Sequence, residues 1–309
     1  VWTMNGFRSR AGLVLLISFA LACGDDDGMT ADTGPGEDTG GGVDAPPTDD
    51  TGDVDAGGEA GVAAGPGRGA SIAVDDANTT VAAANKATDD VTFFDVSTLS
   101  ERARVSVGDE PSIVVFHPDG ERAFVVNRGD GTVSEITGVT GDAPSVARTI
   151  DVGPELVGAA LSPTGATLYV SSWTAGTVFL LDTNAGSVSS SVDVGGAPYA
   201  VCVTNDLDDE DGDETVYVTD FYARAVAGQK EAVDGSREGR VFRLDAAGAV
   251  QGETRLSPVM VTGIEAAIDA AGTSAFPNQL YACDIANDHL HVTSVGASPA
   301  AFEGGTDFR

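Results

Sequence analysis

An acidic insertion at residues 205–214, NDLDDEDGDE, carries the residues best suited to binding chemistry. Seven of the nine positions from 206 to 214 are carboxylates. Calcium loops place oxygen ligands at alternating positions around a glycine that makes the turn. The spacing therefore predicts a calcium site with the candidate ligands Asp206, Asp208, Asp209, Asp211 and Asp213. Aligning Gly212 with the turn glycine leaves Leu207 in the place of the first ligand, so a solvated acidic hairpin is the alternative interpretation.

Two further insertions could bind a partner. FYARAVAGQKEAVDGSREGR concentrates basic residues in a chain that has few of them, and DAAGTSAFPN supplies apolar residues on the same face as the acidic insertion. The candidate partner-binding residues are Arg224, Lys230, Arg237, Phe276 and Pro277. Because successive antiparallel strands alternate in direction, we expect the acidic and basic insertions on opposite faces. Ordinary variation in loop length is the alternative.

Motifs of catalysis are missing from the sequence: it contains no Gly-x-Ser-x-Gly elbow, no Cys-x-x-Cys-His haem site and no phosphate-binding glycine loop ahead of a helix. Three histidines are present. His289 and His291 could form half of a metal site on one face of a strand, or could face solvent. His117 begins the turn HPDG, and we expect it to cap that turn.

Cys202 and Cys283 are expected to be two free, buried thiols. An oxidising compartment would favour a disulfide, but the two residues fall in non-equivalent strands of neighbouring sheets. Sheets that pack face to face lie about 10 Å apart, whereas a disulfide requires Cα atoms within about 7 Å. The sequence therefore predicts no bridge between them.

The N-terminal segment resembles a bacterial lipoprotein signal peptide. Arg8 and Arg10 precede the apolar run AGLVLLISFALA, which ends at Cys23. This run is too short to span a membrane as a stable helix. The resemblance to a lipobox implies that residues 1–23 direct export and that Cys23 is lipidated. Cleavage by ordinary signal peptidase, which would give a periplasmic or secreted protein, is the alternative.

Residues 24–70 consist mainly of Asp, Thr, Gly, Pro and Ala. This composition cannot form a core and predicts a disordered acidic tether between a membrane and a domain at residues 71–309. The formal net charge of the chain is −32. Nucleic acids and anionic lipid headgroups are therefore poor partners on electrostatic grounds; we expect no nucleic-acid partner and membrane contact through the lipid anchor only.

Short strands that recur along the domain must position these candidate residues. Four apolar runs lie at residues 91–95, 133–137, 178–182 and 241–245. Each follows another short apolar run, from which a short polar turn separates it. A third run closes on VSVG, IDVG or VDVG, and a fourth leads into HPDG or SPTG, whose Pro and Gly fix a bend. Four strands repeated about every 42 to 45 residues are typical of a β-propeller blade. The 40 glycines also favour an all-β fold of short strands and tight turns.

Two of these segments, FHPDGERAFVVNRGDGTVSEI and LSPTGATLYVSSWTAGTVFLLDT, resemble the YVTN-type β-propeller repeat of bacterial exported proteins. Tyr217-Val-Thr-Asp220 is the closest match to the Tyr-Val-Thr-Asn for which the repeat is named. The resemblance extends over roughly residues 71–295. It implies an exported β-propeller and is not specific for a function.

The repeat predicts about five blades, at residues 71–108, 111–153, 154–195 and 196–256 and from about residue 258 onward. Propellers of this kind usually close with about six to eight blades, so we expect an incomplete ring in a C-terminally truncated chain. We expect a lipoprotein of the cell envelope, in the outer membrane or at the cell surface, that binds a protein or another extracellular ligand. The alternative is a lactonase-like propeller hydrolase, in which carboxylates and histidines would converge in a central funnel.

Overall fold

A computed structural model describes residues 69–208, 210–230, 233, 235–259, 274–287 and 289–297. The predicted signal peptide, the lipidation site Cys23 and the tether up to residue 68 lie outside these ranges. None of the described residues belongs to a helix that is long and apolar enough to cross a membrane.

Eighteen β-strands make up the described part of the chain. They are, in order, β1 (Ile72–Val74), β2 (Thr80–Asn85), β3 (Asp90–Asp95), β4 (Glu101–Ser106), β5 (Pro111–Phe116), β6 (Arg122–Asn127), β7 (Thr132–Thr137), β8 (Ser145–Asp151), β9 (Leu156–Leu161), β10 (Thr167–Ser172), β11 (Thr177–Asp182), β12 (Ser187–Asp193), β13 (Pro198–Val203), β14 (Thr215–Ala225), β15 (Arg237–Asp245), β16 (Val250–Leu256), β17 (Phe276–Ala286) and β18 (His289–Ala297).

These strands form the four-stranded antiparallel blades of a β-propeller, so the predicted all-β fold is confirmed. Blade 1 contains β1 to β4, blade 2 contains β5 to β8, blade 3 contains β9 to β12 and blade 4 contains β13 to β16. In blade 5, the described residues form the two-stranded sheet of β17 and β18. An isolated bridge between Val259 and Ala275 precedes that sheet.

The inner strands of each blade are buried along most of their length because neighbouring blades cover both of their faces. All six residues of β9 are buried, whereas the outermost strand of the same blade, β12, is mostly exposed. The cores lie between blades rather than within them. Phe124 of blade 2, for example, belongs to the same buried cluster as Leu161 and Leu168 of blade 3.

The connections divide the domain into two faces. The upper face carries the turn between the second and third strands of each blade, together with the connections from one blade to the next. The lower face carries the remaining turns within blades. The acidic insertion follows β13 and the basic insertion follows β14, so they lie at opposite ends of β14, on the lower and upper face respectively.

Gly69 and Ala70, which the sequence assigned to the tether, are hydrogen-bonded to the domain. The amide of Gly69 donates to the carbonyl oxygen of Ala159 in β9, at 2.8 Å, and Ala70 forms a bridge with Val114 in β5. A Cβ at residue 69 would collide with the side chain of Ile113. The segment therefore crosses the first strands of blades 3 and 2 before it enters β1, and this close approach requires glycine.

The prediction of two free thiols is wrong. Cys202 of β13 and Cys283 of β17 form a disulfide, with their Cα atoms 6.2 Å apart. The prediction applied the spacing of sheets stacked face to face, but blades approach each other more closely near the axis. A Cβ on Gly158 of β9, for instance, would collide with the carbonyl oxygen of Tyr199 on β13. Strands of neighbouring blades that lie near the axis are thus close enough for a disulfide.

Two arginines connect neighbouring blades at the lower face. Arg102 of β4 donates to the carbonyl oxygens of Val139 and Thr140 in blade 2. Arg148 of β8 donates to the carbonyl oxygens of residues 183 and 184 in blade 3. Each guanidinium thus satisfies carbonyl groups that would otherwise lack partners where a strand ends.

Candidate partner-binding face

Alignment of the four complete blades places two cations and two aromatic residues at one position of the upper face. This position directly follows the second strand as Lys86 in blade 1, Arg128 in blade 2 and Trp173 in blade 3, and in blade 4 it is Phe221, inside the longer second strand β14. The backbone conformation at this position is also repeated. The amides of Arg128, Trp173 and Phe221 donate to the carbonyl oxygens of Glu110, Glu155 and Ala197, respectively, at 2.8 to 3.1 Å.

Four aromatic side chains meet at this part of the upper face, and we call Trp173, Tyr199, Phe221 and Tyr222 the aromatic cluster. The ring centre of Trp173 lies 5.7 Å from that of Tyr199, 5.0 Å from that of Phe221 and 5.8 Å from that of Tyr222. Tyr199 and Phe221 are 4.7 Å apart. Tyr222 is 48% exposed, and the other three rings are half-buried. The cluster therefore presents aromatic surface to solvent in a chain that is only 6% aromatic.

A bulge in β14 places Phe221 and Tyr222 at the surface. Asp220 pairs with Arg240 and Arg224 pairs with Glu238, so three residues of β14 lie opposite one residue of β15. Such bulges redirect side chains and are frequent beside functional sites.

Two ion pairs flank the aromatic cluster. The guanidinium of Arg128 lies 5.6 Å from the centre of the Trp173 ring and 3.6 Å from the carboxylate of Glu155. Arg224 is paired with Asp220, whose side chain is buried. A Cβ at residue 196 would meet the guanidinium of Arg224 and the carboxylate of Asp220, so a larger residue there would displace this pair. The charges of both arginines are thus neutralised by carboxylates of this chain.

The basic residues predicted from the sequence have different surroundings. Arg224 lies at the edge of the aromatic cluster in its pair with Asp220. Arg237 of β15 donates to the carbonyl oxygen of Ala223, at 3.2 Å. Lys230 is exposed in the connection after β14. The structure therefore brings Arg224 to the candidate face and gives Arg237 a contact within its own hairpin.

Phe276 and Pro277 do not form the exposed apolar element that was predicted. Both are buried at the start of β17, and Phe276 is only 5% exposed. Phe276 pairs with Ala297 of β18. The two residues belong to a strand that packs against β13 and β14 rather than to an exposed loop. The remainder of that insertion, up to residue 273, lies outside the described residues.

The acidic insertion brings together three of its five predicted ligands. Oxygen atoms of Asp206, Asp208 and Asp213 lie within 4.8 Å of one another, and all three side chains are exposed. Asp211 is engaged elsewhere. Its carboxylate accepts hydrogen bonds from the backbone amide and the hydroxyl of Thr164 in blade 3, at 3.0 and 2.6 Å. Asp209 lies outside the described residues.

Burial shifts the pKa of two groups beside this insertion. Glu214 is buried and accepts hydrogen bonds from the hydroxyl of Thr204 and the amide of Asp206. Burial raises the pKa of Glu214, and the neighbouring carboxylates raise it further. Burial also raises the pKa of Tyr169, to which the charge of Asp211 contributes. The insertion is therefore packed against the domain on one side.

A cavity of about 460 Å³ lies among the first strands of blades 2, 3 and 4 and β17. Its wall consists largely of glycine, alanine and valine, and Gly69 and Ala70 form part of it. The titratable side chains that line it are Tyr281, Asp284 and His291, all from the hairpin of blade 5. Among the described lining residues, the wall formed by blades 2 to 4 thus contributes no acid or base.

The histidines are placed as follows. His117 caps its turn as predicted, with Nδ1 accepting a hydrogen bond from the amide of Asp119, at 3.1 Å. His289 and His291 are half-buried on β18, with ring centres 6.4 Å apart. Within the described ranges, the one cluster of three potential metal ligands is the acidic one, so these two histidines do not join a third ligand.

Sequence reasoning missed the aromatic cluster because it searched for insertions. Trp173 and Phe221 fall at an ordinary position of the repeat, where blades 1 and 2 carry Lys86 and Arg128. Comparing that single position among blades would have revealed the change from cations to aromatic rings. Tyr199 could not be found in this way, because only the packing of β13 against blade 3 brings it to the cluster.

No protein-family model matches the chain, and no curated protein matches it. Among solved structures, hydrazine synthase from Kuenenia stuttgartiensis is similar over 60% of this chain and 48% of its own, with 22% identity and a TM-score of 0.49. A functionally unknown protein from Desulfotomaculum acetoxidans is similar over 62% of each chain, with 16% identity and a TM-score of 0.45. The dihydro-heme d1 dehydrogenase NirN, in complex with DHE, is similar over 67% of this chain and 41% of its own, with 15% identity and a TM-score of 0.46. In each case the match spans less than two thirds of the other chain.

Proposed function

We propose that the protein is an exported lipoprotein of the cell envelope whose YVTN-type propeller binds a partner through the aromatic cluster on its upper face. Lipidation of Cys23 would anchor the chain, and residues 24–68 would separate the propeller from the membrane. The partner is a protein or another extracellular molecule. The observation that carries the proposal is the exposed grouping of Trp173, Tyr199, Phe221 and Tyr222 beside Arg128.

The composition of the cluster supports a binding role. Trp, Tyr and Arg are the residues most enriched among those that contribute strongly to protein interfaces. Their large rings provide contact area at a low cost in conformational entropy. About half of the surface of Tyr222 is exposed to water, although burial of an aromatic ring lowers the free energy. A partner that covers the ring would recover this free energy.

Site-specific photocrosslinking tests the binding role. A photoreactive phenylalanine analogue in place of Tyr222 should form an adduct in cells that express the chain from its own gene. The matched control places the analogue at Val250, which is 47% exposed on the outer strand β16 and far from the cluster in sequence. An adduct at 222 but not at 250 is the expected result. Adducts at neither position, or equally at both, would contradict the proposal.

Fractionation tests the anchor separately. Cys23→Ser should move the protein from the membrane fraction to the soluble fraction, because the lipid acceptor is lost. Ala22→Ser, which changes the neighbouring residue and leaves the thiol in place, is the control. A Cys23→Ser protein that stays in the membrane fraction with unchanged electrophoretic mobility would show that this cysteine is not the anchor.

A hydrolase with its active site at the axis is the second candidate function. The observation in its favour is the cavity lined by His291 and Asp284, which pair directly between β18 and β17. Such a pair could act as a general base and its orienting group. Hydrolysis of aryl esters and lactones by the full chain, abolished in His291→Ala and retained in His289→Ala, would establish it. No turnover above background would exclude these substrates.

A further inference from the structure

We infer that the partner of the aromatic cluster presents a positively charged segment, rich in arginine and lysine, whose side chains stack on the cluster. The inference rests on the proposed binding function and adds the chemical class of the partner. It is carried by two properties of the upper face, namely its ring surface and its uncompensated carboxylates.

The cluster already binds a cation of its own chain. Arg128 lies over the Trp173 ring at 5.6 Å, within the distance at which a guanidinium is attracted by the negative face of an aromatic ring. Tyr222 contacts both Trp173 and Phe221 and is the most exposed of the four rings. It therefore offers a second ring surface of the same kind, on which a cation of a partner could stack.

The charge around the cluster favours the same partner. Three cations beside the blade connections of the upper face are each paired with a carboxylate: Lys86 with Glu110 at 3.1 Å, Arg128 with Glu155 at 3.6 Å, and Arg224 with Asp220. Lys230 is also exposed on this face, in the connection after β14. Four exposed carboxylates on the same face form no ion pair within the described part of the chain. They are Asp89, Asp109, Asp130 and Asp193.

Three of these carboxylates accept hydrogen bonds from backbone amides, which fix their positions. Asp89 accepts from the amide of Glu110, Asp130 from that of Asp109, and Asp193 from that of Gly195, at 2.8 to 3.2 Å. A hydrogen bond from an amide leaves the negative charge in place. Fixed negative charge on the face that carries the exposed rings attracts a basic segment from a distance, and stacking on the rings then holds it.

Tryptophan fluorescence can test the inference directly. The sequence contains two tryptophans, Trp2 and Trp173. In the full chain carrying Trp2→Phe and Cys23→Ser, the emission therefore reports on the aromatic cluster. The probe is an acetylated tetra-arginine amide, with a tetra-glutamate peptide and cellotetraose as comparisons. We expect saturable quenching by tetra-arginine, weakened by added salt, and no effect of tetra-glutamate.

Variants separate stacking from general attraction to an acidic protein. Tyr222→Ala should weaken tetra-arginine binding about tenfold, as expected for the loss of one partly desolvated cation–π contact. Tyr222→Phe keeps the ring and should bind within about twofold of the parent. Asp206→Asn/Asp208→Asn/Asp213→Asn removes three charges from the lower face and should also bind within about twofold. Circular dichroism verifies that each variant is folded.

Three results would overturn the inference. The first is Tyr222→Ala binding tetra-arginine as tightly as its parent. The second is an equal loss of binding in the triple lower-face variant, which would reveal general attraction to the acidic protein. The third is quenching by cellotetraose without quenching by tetra-arginine, which would identify a carbohydrate site. If the crosslink at residue 222 persists in that case, the binding function stands and only the class of partner changes.

Discussion

Cys202 and Cys283 are joined across two neighbouring blades, although 81 residues separate them in the sequence. Both are buried and belong to one apolar cluster that also contains Leu280 and Val292. The bond therefore attaches the two described strands of blade 5 to the first strand of blade 4. Disulfides form and persist in oxidising compartments, which supports the export proposed for this chain.

Removal of this disulfide should destabilise the domain. A closed loop of this length restricts the unfolded chain by about 4 kcal/mol in the chain-entropy estimate. We expect Cys202→Ala/Cys283→Ala to lower the free energy of unfolding by an amount of that order, measured by urea denaturation. Adding reductant should shift the parent curve and leave the variant curve unchanged. Two free thiols in the unfolded, unreduced parent would contradict the bond.

Arg148 should stabilise the contact between blades 2 and 3. It pairs with Glu135, which is only 4% exposed, and Arg122 is the other cation of that carboxylate, at 3.5 Å. Because Arg148 is one-third exposed and Arg122 would remain, we expect Arg148→Ala to cost about 2 kcal/mol rather than the full penalty of an unpaired buried charge. Arg255→Ala removes a 58% exposed arginine whose pairs lie within blade 4, and it should cost less than about 1 kcal/mol. Equal losses in the two variants would argue against a role for Arg148 between blades.

His117 should make the stability depend on pH. It is 7% exposed and lies against Gly165 of blade 3, where a Cβ would collide with its ring. Burial lowers the pKa of His117 from 6.5, and the nearby charge of Asp119 only partly opposes this. The folded state therefore binds a proton less readily than the unfolded state, so stability is full above pH 6.5 and falls as the pH drops through the folded value.

The contribution of His117 to the pH dependence of stability can be separated from that of the carboxylates. His117→Gln should remove the loss of stability that begins below pH 6.5. The pKa of Asp119 is lowered from 3.8, because hydrogen bonds from Arg122 and the amide of Glu121 outweigh its burial. The effect of Asp119 on stability therefore appears at more acidic pH, in the parent and in His117→Gln alike. Melting temperatures from pH 8 to pH 4 check this, and parallel curves for the two proteins would be the contrary outcome.

Calcium binding by the acidic insertion stays a prediction. Asp206, Asp208 and Asp213 are close enough to share an ion, and an ion that binds only the folded state raises the melting temperature with its concentration. We expect Asp213→Asn to abolish this response to calcium. Asp211→Asn should lower the melting temperature through its lost contact with Thr164 and retain the response. Equal small shifts with magnesium and calcium would indicate screening of the net charge instead.

The sequence predicted the blades because their pattern is local. The runs at residues 133–137 and 178–182 are observed as β7 and β11 with the same C-terminal residues. Distances between blades were not predictable in this way. The disulfide, the burial of Phe276 and the meeting of Tyr199 with Trp173 all depend on how strands converge near the axis, and the repeat contains no information on that geometry.

Gly69 and Ala70 have a consequence for the order in which the fold is completed. During synthesis these residues leave the ribosome before the rest of the propeller, and their partners Val114 and Ala159 follow 44 and 90 residues later. Contacts between residues so distant in sequence form slowly, because a long loop must close before they contribute any stability. The N-terminal end of the domain can therefore be secured only after the first strands of blades 2 and 3 are in place, so the first residues of the propeller to be made are among the last to be fixed.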